Sequence, residues 1–255
     1  MLLYGIVIII SQYQISPVSP VSSAIPALTG VRNLKRIKVS NNVIRRLPRY
    51  LRKLDELNAA EVDRISSGEL GRQMGLTPSQ IRQDFSCFGE FGQQGYGYNV
   101  TALRGEIAKI LGMDRDFTAV LVGVGNIGHA LIDHFSFNRY GFRLVSAFDV
   151  KQDVIGTKIA DVEIHDMTQI RTVVTELKPD IAILCVPKAF ANDLAHVLVD
   201  AGVKGIWNFT NVELDVPEDD VVIENIYFSD SLLALGYYLS ESVDEAEAKA
   251  ARRRV

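Results

Sequence analysis

Three glycines and one acid carry the clearest chemistry in this chain. Gly123, Gly125 and Gly128 stand in "GVGNIG", and Asp149 follows the last of them by 21 residues. A G-x-G-x-x-G between an apolar strand ("FTAVLVGVG") and a helix ("NIGHALIDHF") has the context of a dinucleotide-binding turn. Gly123 permits the tight turn, Gly125 lets backbone approach a pyrophosphate, and Gly128 lets helix and strand pack closely. Val124, Asn126 and Ile127 complete the turn, and the helix N-terminus supplies N–H groups and a positive dipole end. Asp149, ending the next strand, is expected to accept from the adenosine ribose and to repel a 2′-phosphate. NAD(H) is therefore expected over NADP(H). Hydride transfer also needs an acid or base near the nicotinamide. His129, His134, His165 and His196 form no evident catalytic pairing. No catalytic residue and no metal site are expected. Cys87 and Cys185 are too few and too far apart for a disulfide framework or a zinc site, which suits a reducing cytoplasm.

A second constellation lies at "TPSQIRQDFSCFGEFGQQGYGY", Thr77 to Tyr98. Ser66 and Glu69 read as a capping box for a short helix stopped by Gly75. Thr77, Pro78 and Gln80 supply the next start as cap, first-turn proline and reciprocal glutamine. Two short helices joined by "GLT" have the dimensions of a helix-turn-helix. Gly89, Gly92, Gly95 and Gly97 then alternate with Phe88, Phe91, Tyr96 and Tyr98, as a β-wing requires. Charge agrees with a nucleic-acid-facing module. From Val31 to Met113 there are 14 Lys and Arg against 8 Asp and Glu; from Asp114 onward the balance is 13 against 23.

The elements that must position these residues follow from length and pattern. The 255 residues are 47% hydrophobic and 23% charged with net charge −4, suiting one large or two smaller soluble domains. Val43, Ile44, Leu47, Leu51, Leu54 and Leu57 have helical spacing, and Pro48 is expected to kink that helix or begin a new one. After Phe117 the pattern alternates strand and helix with near-continuous apolar strands, which reads as a doubly wound parallel sheet. The expected fold is α/β: an N-terminal winged helix-turn-helix domain followed by a Rossmann-type sheet and a C-terminal helix. The expected divisions are a disordered leader (1–38), a winged-helix domain (39–99), a linker helix (100–116), a Rossmann domain (117–228) and a C-terminal helix and tail (229–255). The apolar run of the leader is too short to span a bilayer, and no membrane association is expected.

From Val43 to Leu239 the joined motifs resemble Rex, a family of bacterial redox-sensing transcriptional repressors. The resemblance rests on "RRLPRYLRKL", "RISSGELGRQMGLTPSQIRQDFSCFGEFGQQGYGYNV", "GVGNIG", "FDV", Val186–Pro187 and "KGIWNF". It implies a homodimer with a domain-swapped C-terminal helix, binding palindromic double-stranded DNA operators when NADH is scarce and released by NADH, with NAD⁺ as the competing form. Arg82 matches the recognition-helix arginine; Ser79, Gln80, Gln83, Gln93, Gln94, Arg46 and Arg52 join it as DNA-binding candidates. Gln83 and Gln94 stand where members often carry basic residues, so a smaller salt slope is expected. Val186, Pro187, Asn208 and Phe228 join the glycine turn as cofactor-binding candidates. His134 and Tyr227 occupy the places of a tyrosine–acid switch pair, and are expected to transmit ligand state to Arg52. Two other readings stay open: a small NAD-dependent oxidoreductase whose N-terminal helices only dimerise, and a winged-helix regulator sensing coenzyme A or another nucleotide.

Overall fold

The computed structural model describes residues 39–89, 91–92, 96–217 and 221–252, with side chains described to residue 244. The leader 1–38 and the wing residues Gln93 and Gln94 lie outside the described residues. Two compact units divide the described chain: residues 39–116 with 139–141, and residues 117–138 with 142–252.

The first unit runs α1 (Asn41–Ala59), β1 (Arg64–Ile65), α2 (Ser67–Met74), α3 (Pro78–Ser86), β2 (Tyr98–Asn99) and α4 (Val100–Ile110). Pro48 neither breaks nor restarts α1, which is one continuous helix. Burial of Val43 and Leu47 on one side of the proline and Tyr50, Leu51, Leu54 and Leu57 on the other holds both halves on one core. Ser66 Oγ accepts from Glu69 N–H and Thr77 Oγ1 from Gln80 N–H, while Gly75 closes α2 in the left-handed region. The glutamine of the second cap does not reach back to the backbone. Gln80 Nε2 instead donates to Asp84 at 2.8 Å. Tyr98 pairs antiparallel with Ile65, so this strand partner comes from before α2. The helix expected as a linker, α4, packs into this unit: Val100, Leu103 and Ile107 are buried in its core, and Arg104 Nε meets Asp55 at 2.8 Å.

Asp84 is the organising residue here. It is fully buried on α3 and accepts from Arg46 Nε (2.6 Å), Arg46 Nη2 (2.8 Å), Tyr50 O–H (2.7 Å) and Gln80 Nε2. Burial alone would raise its pKa, but the bonds from Arg46, Tyr50 and Gln80 outweigh that and hold the carboxyl below its ordinary value. Burial and the same carboxylate push the Tyr50 hydroxyl up. Edge-on contacts of Phe85 with Tyr50, Phe91 and Tyr98 complete the seating of α3.

The second unit carries one seven-stranded sheet in the order β5-β6-β4-β3-β7-β8-β9. Its strands are β3 (Phe117–Val122), β4 (Phe142–Asp149), β5 (Lys158–Ile159), β6 (Val162–Asp166), β7 (Ile181–Leu184), β8 (Gly205–Asn208) and β9 (Val222–Asn225). All neighbours are parallel except β5 with β6. Leaving β5 aside, this is the Rossmann order 3-2-1-4-5-6. Helices α5 (Asn126–His134), α6 (Ile170–Leu177) and α7 (Ala191–Asp200) connect the strands, and α8 (Phe228–Arg252) ends the chain. The sequence reading places no strand at β5 or β6, although Val162 and Ile164 alternate with polar residues in β6. "VEIHD" is only five residues long, and no helix precedes it to mark a βαβ unit. The chain turns back toward the other half of the sheet between β3 and β7, which creates a crevice at their C-terminal ends.

The folded pKa of Asp84 lies below its unfolded value, so its stabilisation is present above about pH 4 and is lost as pH falls through the folded value. Asp84→Asn is expected to destabilise the first unit by about 3 kcal/mol near neutral pH, because it uncovers the Arg46 charge. Denaturant unfolding at pH 7 and pH 3 checks this: the gap between wild type and variant should shrink at the lower pH.

Candidate nucleic-acid interface and nucleotide site

The first unit exposes one face of α3. Ser79, Arg82, Gln83 and Ser86 are open to solvent, whereas Ile81, Asp84 and Phe85 face the core. This is the division a recognition helix needs, with short polar groups flanking a guanidinium that can donate twice to a guanine edge. Arg82 Nη1 donates to Ser67 Oγ at 3.0 Å, a contact no sequence motif announced. Ser79 Oγ lies 3.1 Å from Thr77 Oγ1. Two expected DNA contacts are turned elsewhere. Arg46 and Gln80 both bond Asp84, because a buried carboxylate must be met by donors and these are within reach. They position α3 and do not stand with its outward face. Arg52 is exposed on α1. Arg64 Nη1 reaches Tyr96 O at 3.3 Å, tying β1 to the base of the wing.

In the second unit the glycine turn opens α5 at the crevice. Gly123 has φ +95°, and a Cβ there would stand 2.7 Å from Cys185 O. A Cβ on Gly128 would come within 2.0 Å of Gly123 O, so helix and strand pack only without it. Gly125 differs: its φ is −77° and a Cβ would meet nothing within 4 Å. Neither strain nor packing within the described chain requires a glycine there, and the open space beside its backbone is the cradle a pyrophosphate would fill. The first turn of α5 holds no acid and no side-chain cap, so no described group there competes for an anion. Val124 is buried beneath the turn, and Asn126 and Ile127 are exposed at its mouth. Val186 is buried and Pro187 follows it on the β7 side. These residues fit a dinucleotide.

Other expected residues lie differently. Asp149 is only 5% exposed; Oδ2 accepts from Val124 N–H at 2.6 Å, and Oδ1 from Val150 and Lys151 N–H at 2.8 and 2.9 Å. It braces the turn from below. Asn208, expected at the ligand, is a buried strut. Its Nδ2 donates to Val212 O and Asn225 Oδ1, and its Oδ1 accepts from Thr210 N–H and Oγ1–H. All its bonding positions are filled, which leaves none for a ligand. Cys185 borders Gly123, and burial pushes its thiol up to about 12, so it stays protonated near neutral pH. Phe228, the first residue of α8, is 62% exposed. It ends a run of ring contacts that sequence reading missed: Phe137–Phe135, Phe135–Trp207, Trp207–Phe209 and Phe209–Phe228, with centroids 4.7 to 6.3 Å apart. His134 is exposed and lies 3.4 Å from its neighbour Asp133. Among the described residues no hydrogen bond or ring contact joins it to Tyr227. No group of described residues could hold a metal ion, and no described helix is long and apolar enough to cross a membrane.

Comparison with known proteins covers both units. Residues 38–86 match a family model described as "Putative DNA-binding protein N-terminus", and residues 114–212 match one described as "CoA binding domain". The redox-sensing transcriptional repressor Rex of Clostridium beijerinckii is 52% identical over 208 residues, which are 82% of this chain and 98% of that protein. The protein of the same name from Thermoanaerobacter pseudethanolicus is 50% identical over 207 residues, 81% of this chain and 92% of that one. Among solved structures, RSP in complex with β-NAD⁺ and operator DNA is 48% identical with TM-score 0.76, matching 83% of this chain and 97% of that one. RSP in complex with β-NADH is 45% identical with TM-score 0.77, matching 82% and 98%.

Gly125→Ala is expected to leave the melting temperature nearly unchanged while weakening dinucleotide binding about tenfold or more, because its methyl enters the cradle and no protein atom. Titration calorimetry beside a thermal melt separates the two effects. Arg82→Ala is expected to weaken binding to a guanine-containing operator by about 1–3 kcal/mol and to relax selectivity at that base. Competition between operator variants reads this directly.

Proposed function

The chain belongs to the Rex family of redox-sensing transcriptional repressors, and on that premise we propose that it holds palindromic operators when NADH is scarce and leaves them when NADH rises. The observation that carries this reading is that one chain presents Arg82 on an exposed recognition helix and Gly125 beside open space at the crevice of its parallel sheet. Arg82 reads a guanine edge, with Ser79 and Gln83 beside it. Arg52 faces the sugar–phosphate backbone in this reading.

The oxidised nicotinamide ring is cationic and the reduced ring neutral, so an apolar wall discriminates between them through desolvation. Phe228 supplies that wall at the junction between the sheet and α8. Asn126 and Ile127 offer the pyrophosphate their backbone N–H groups at the mouth of the turn, while Val124 N–H is held by Asp149 beneath it. Helix α8 exposes Leu232, Leu235, Leu239 and Val243 at helical spacing. An apolar stripe of this length calls for a partner, and a second copy of the chain, exchanging α8, is the proposed one. A two-fold dimer sets two recognition helices about one DNA turn apart. NADH then releases DNA by binding the arrangement that spoils this spacing more tightly than the one that keeps it. His134 and Tyr227 are the proposed switch pair, formed between copies. The protein acts in the cytoplasm and catalyses no reaction in this reading. Near neutral pH the protonated Cys185 thiol is no nucleophile.

Fluorescence anisotropy of a labelled palindromic operator, at fixed salt, tests the proposal with NAD⁺, NADH and coenzyme A as separate additions. Operator release by NADH and not by NAD⁺ is expected; release by coenzyme A alone would transfer the reading to another nucleotide. Leu235→Glu with Leu239→Glu is expected to give a monomer by light scattering and to abolish tight operator binding.

A further inference from the structure

Arg82 is the only basic residue of α3, and a side chain of this length loses much rotamer freedom when it meets a base. The fold restrains it beforehand. Its Nη1 donates to Ser67 Oγ at 3.0 Å, across the turn between α2 and α3. Its charge also lies close to Tyr98: burial pushes that hydroxyl up, and Arg82 draws it partly back. No acid competes for the guanidinium. Glu69 on α2 is met by Arg72 and Gln73, and Asp84 is turned into the core. Among the described residues Arg82 has no ion pair, so the group that holds it is a neutral hydroxyl.

The atom that Ser67 takes matters. Nε and Nη2 share one edge of the guanidinium plane, and a bond made through Nη1 leaves both of their parallel N–H groups free. The same edge serves Arg46 against Asp84 elsewhere in this unit. In Arg82 it is the edge that can donate to guanine O6 and N7. A carboxylate in place of the hydroxyl would have to be displaced before DNA could bind, whereas a neutral acceptor leaves the charge uncompensated.

Ser67 is itself a fixed post. It is the first residue of α2, and Ile65, two residues before it, is paired with Tyr98. Gly71 of α2 packs so closely on the turn before α3 that a Cβ there would stand 2.5 Å from Leu76 O. Leu70 of α2 and Ile81 of α3 are fully buried in one core. The neighbouring Ser66 hydroxyl accepts from Glu69 N–H as the cap. We propose that Ser67 is a positioning residue for base readout: it holds Arg82 by Nη1, leaves the Nε–Nη2 edge to a guanine, and raises selectivity without touching a base. The proposal rests on the reading of Arg82 as the guanine contact. Two adjacent serines then do different work, Ser66 capping the helix and Ser67 aiming the arginine.

Full-length protein is tested by anisotropy, at fixed salt, on a palindromic operator and on variants with each guanine pair replaced. The position at which Arg82→Ala relaxes selectivity identifies the guanine. Ser67→Ala is expected to lower selectivity at that position about fivefold and to leave the melting temperature unchanged. Ser67→Thr keeps a hydroxyl on the same carbon and is expected to keep the wild-type selectivity. In an Arg82→Ala background, Ser67→Ala is expected to change nothing further, because its effect passes through the arginine. Equal weakening of all operators by Ser67→Ala would mean that the hydroxyl meets the DNA backbone, and overturns the proposal. Unchanged selectivity, or an effect that persists without Arg82, overturns it as well. If Arg82→Ala relaxes selectivity nowhere, the reading of Arg82 falls and the proposal with it.

Discussion

A carboxylate taken out of water must be met by donors, and each of the two units is organised around one that is. In the first, Asp84 gathers Arg46, Tyr50 and Gln80, and thereby seats α3 against α1 with its other face outward. In the second, Asp149 gathers three backbone N–H groups and fixes the glycine turn above it. Neither acid is the group that meets a ligand by extended contact. Each sets the position of the groups that do. Leaving such a carboxylate unmet would cost more than most single contacts in the fold contribute, which is why nearby polar side chains are drawn in.

The three glycines of the turn illustrate how different constraints share one motif. Gly128 answers to packing and Gly123 to both packing and a positive φ. Gly125 answers to neither within the described chain, so its small size is explained by what lies beside the backbone and not by what lies under it. The topology completes the argument. Strands β3 and β7 end side by side where the chain reverses its direction of winding, so Gly123 and Val186–Pro187 share one edge of one crevice. The ring contacts from Phe137 to Phe228 run through the same unit and end at the first residue of α8. A displacement of Phe228 would thus be felt by packed aromatic side chains as well as by the helix it begins.

Much of this was legible in the chain because its signals are local. The caps at Ser66 and Thr77, the stop at Gly75 and the strand–turn–helix at Gly123 all follow from residues within a few places of one another. Pro48 does not begin a new helix because its local preference is weaker than burial on both sides of it. The strands β5 and β6 escaped notice because they are short: β5 has two residues, and the alternation in "VEIHD" covers only four before its pairing with β4 fixes it as a strand.

Sequence alone therefore determined the order of a helical part before a strand–helix part, most of the element types, the dinucleotide turn and the family resemblance, since periodicity, capping and glycine spacing act over a few residues. Only the tertiary structure decided which polar groups face outward. It turned Arg46 and Gln80 in to Asp84, closed Asn208 within its own network and left Arg82 and Lys151 exposed. The reason is that even a local pair such as Gln80 and Asp84 or Asn208 and Thr210 closes only where tertiary packing has buried the polar group, and that burial comes with pairings such as Val124 with Asp149 and Arg46 with Asp84, 25 and 38 positions apart.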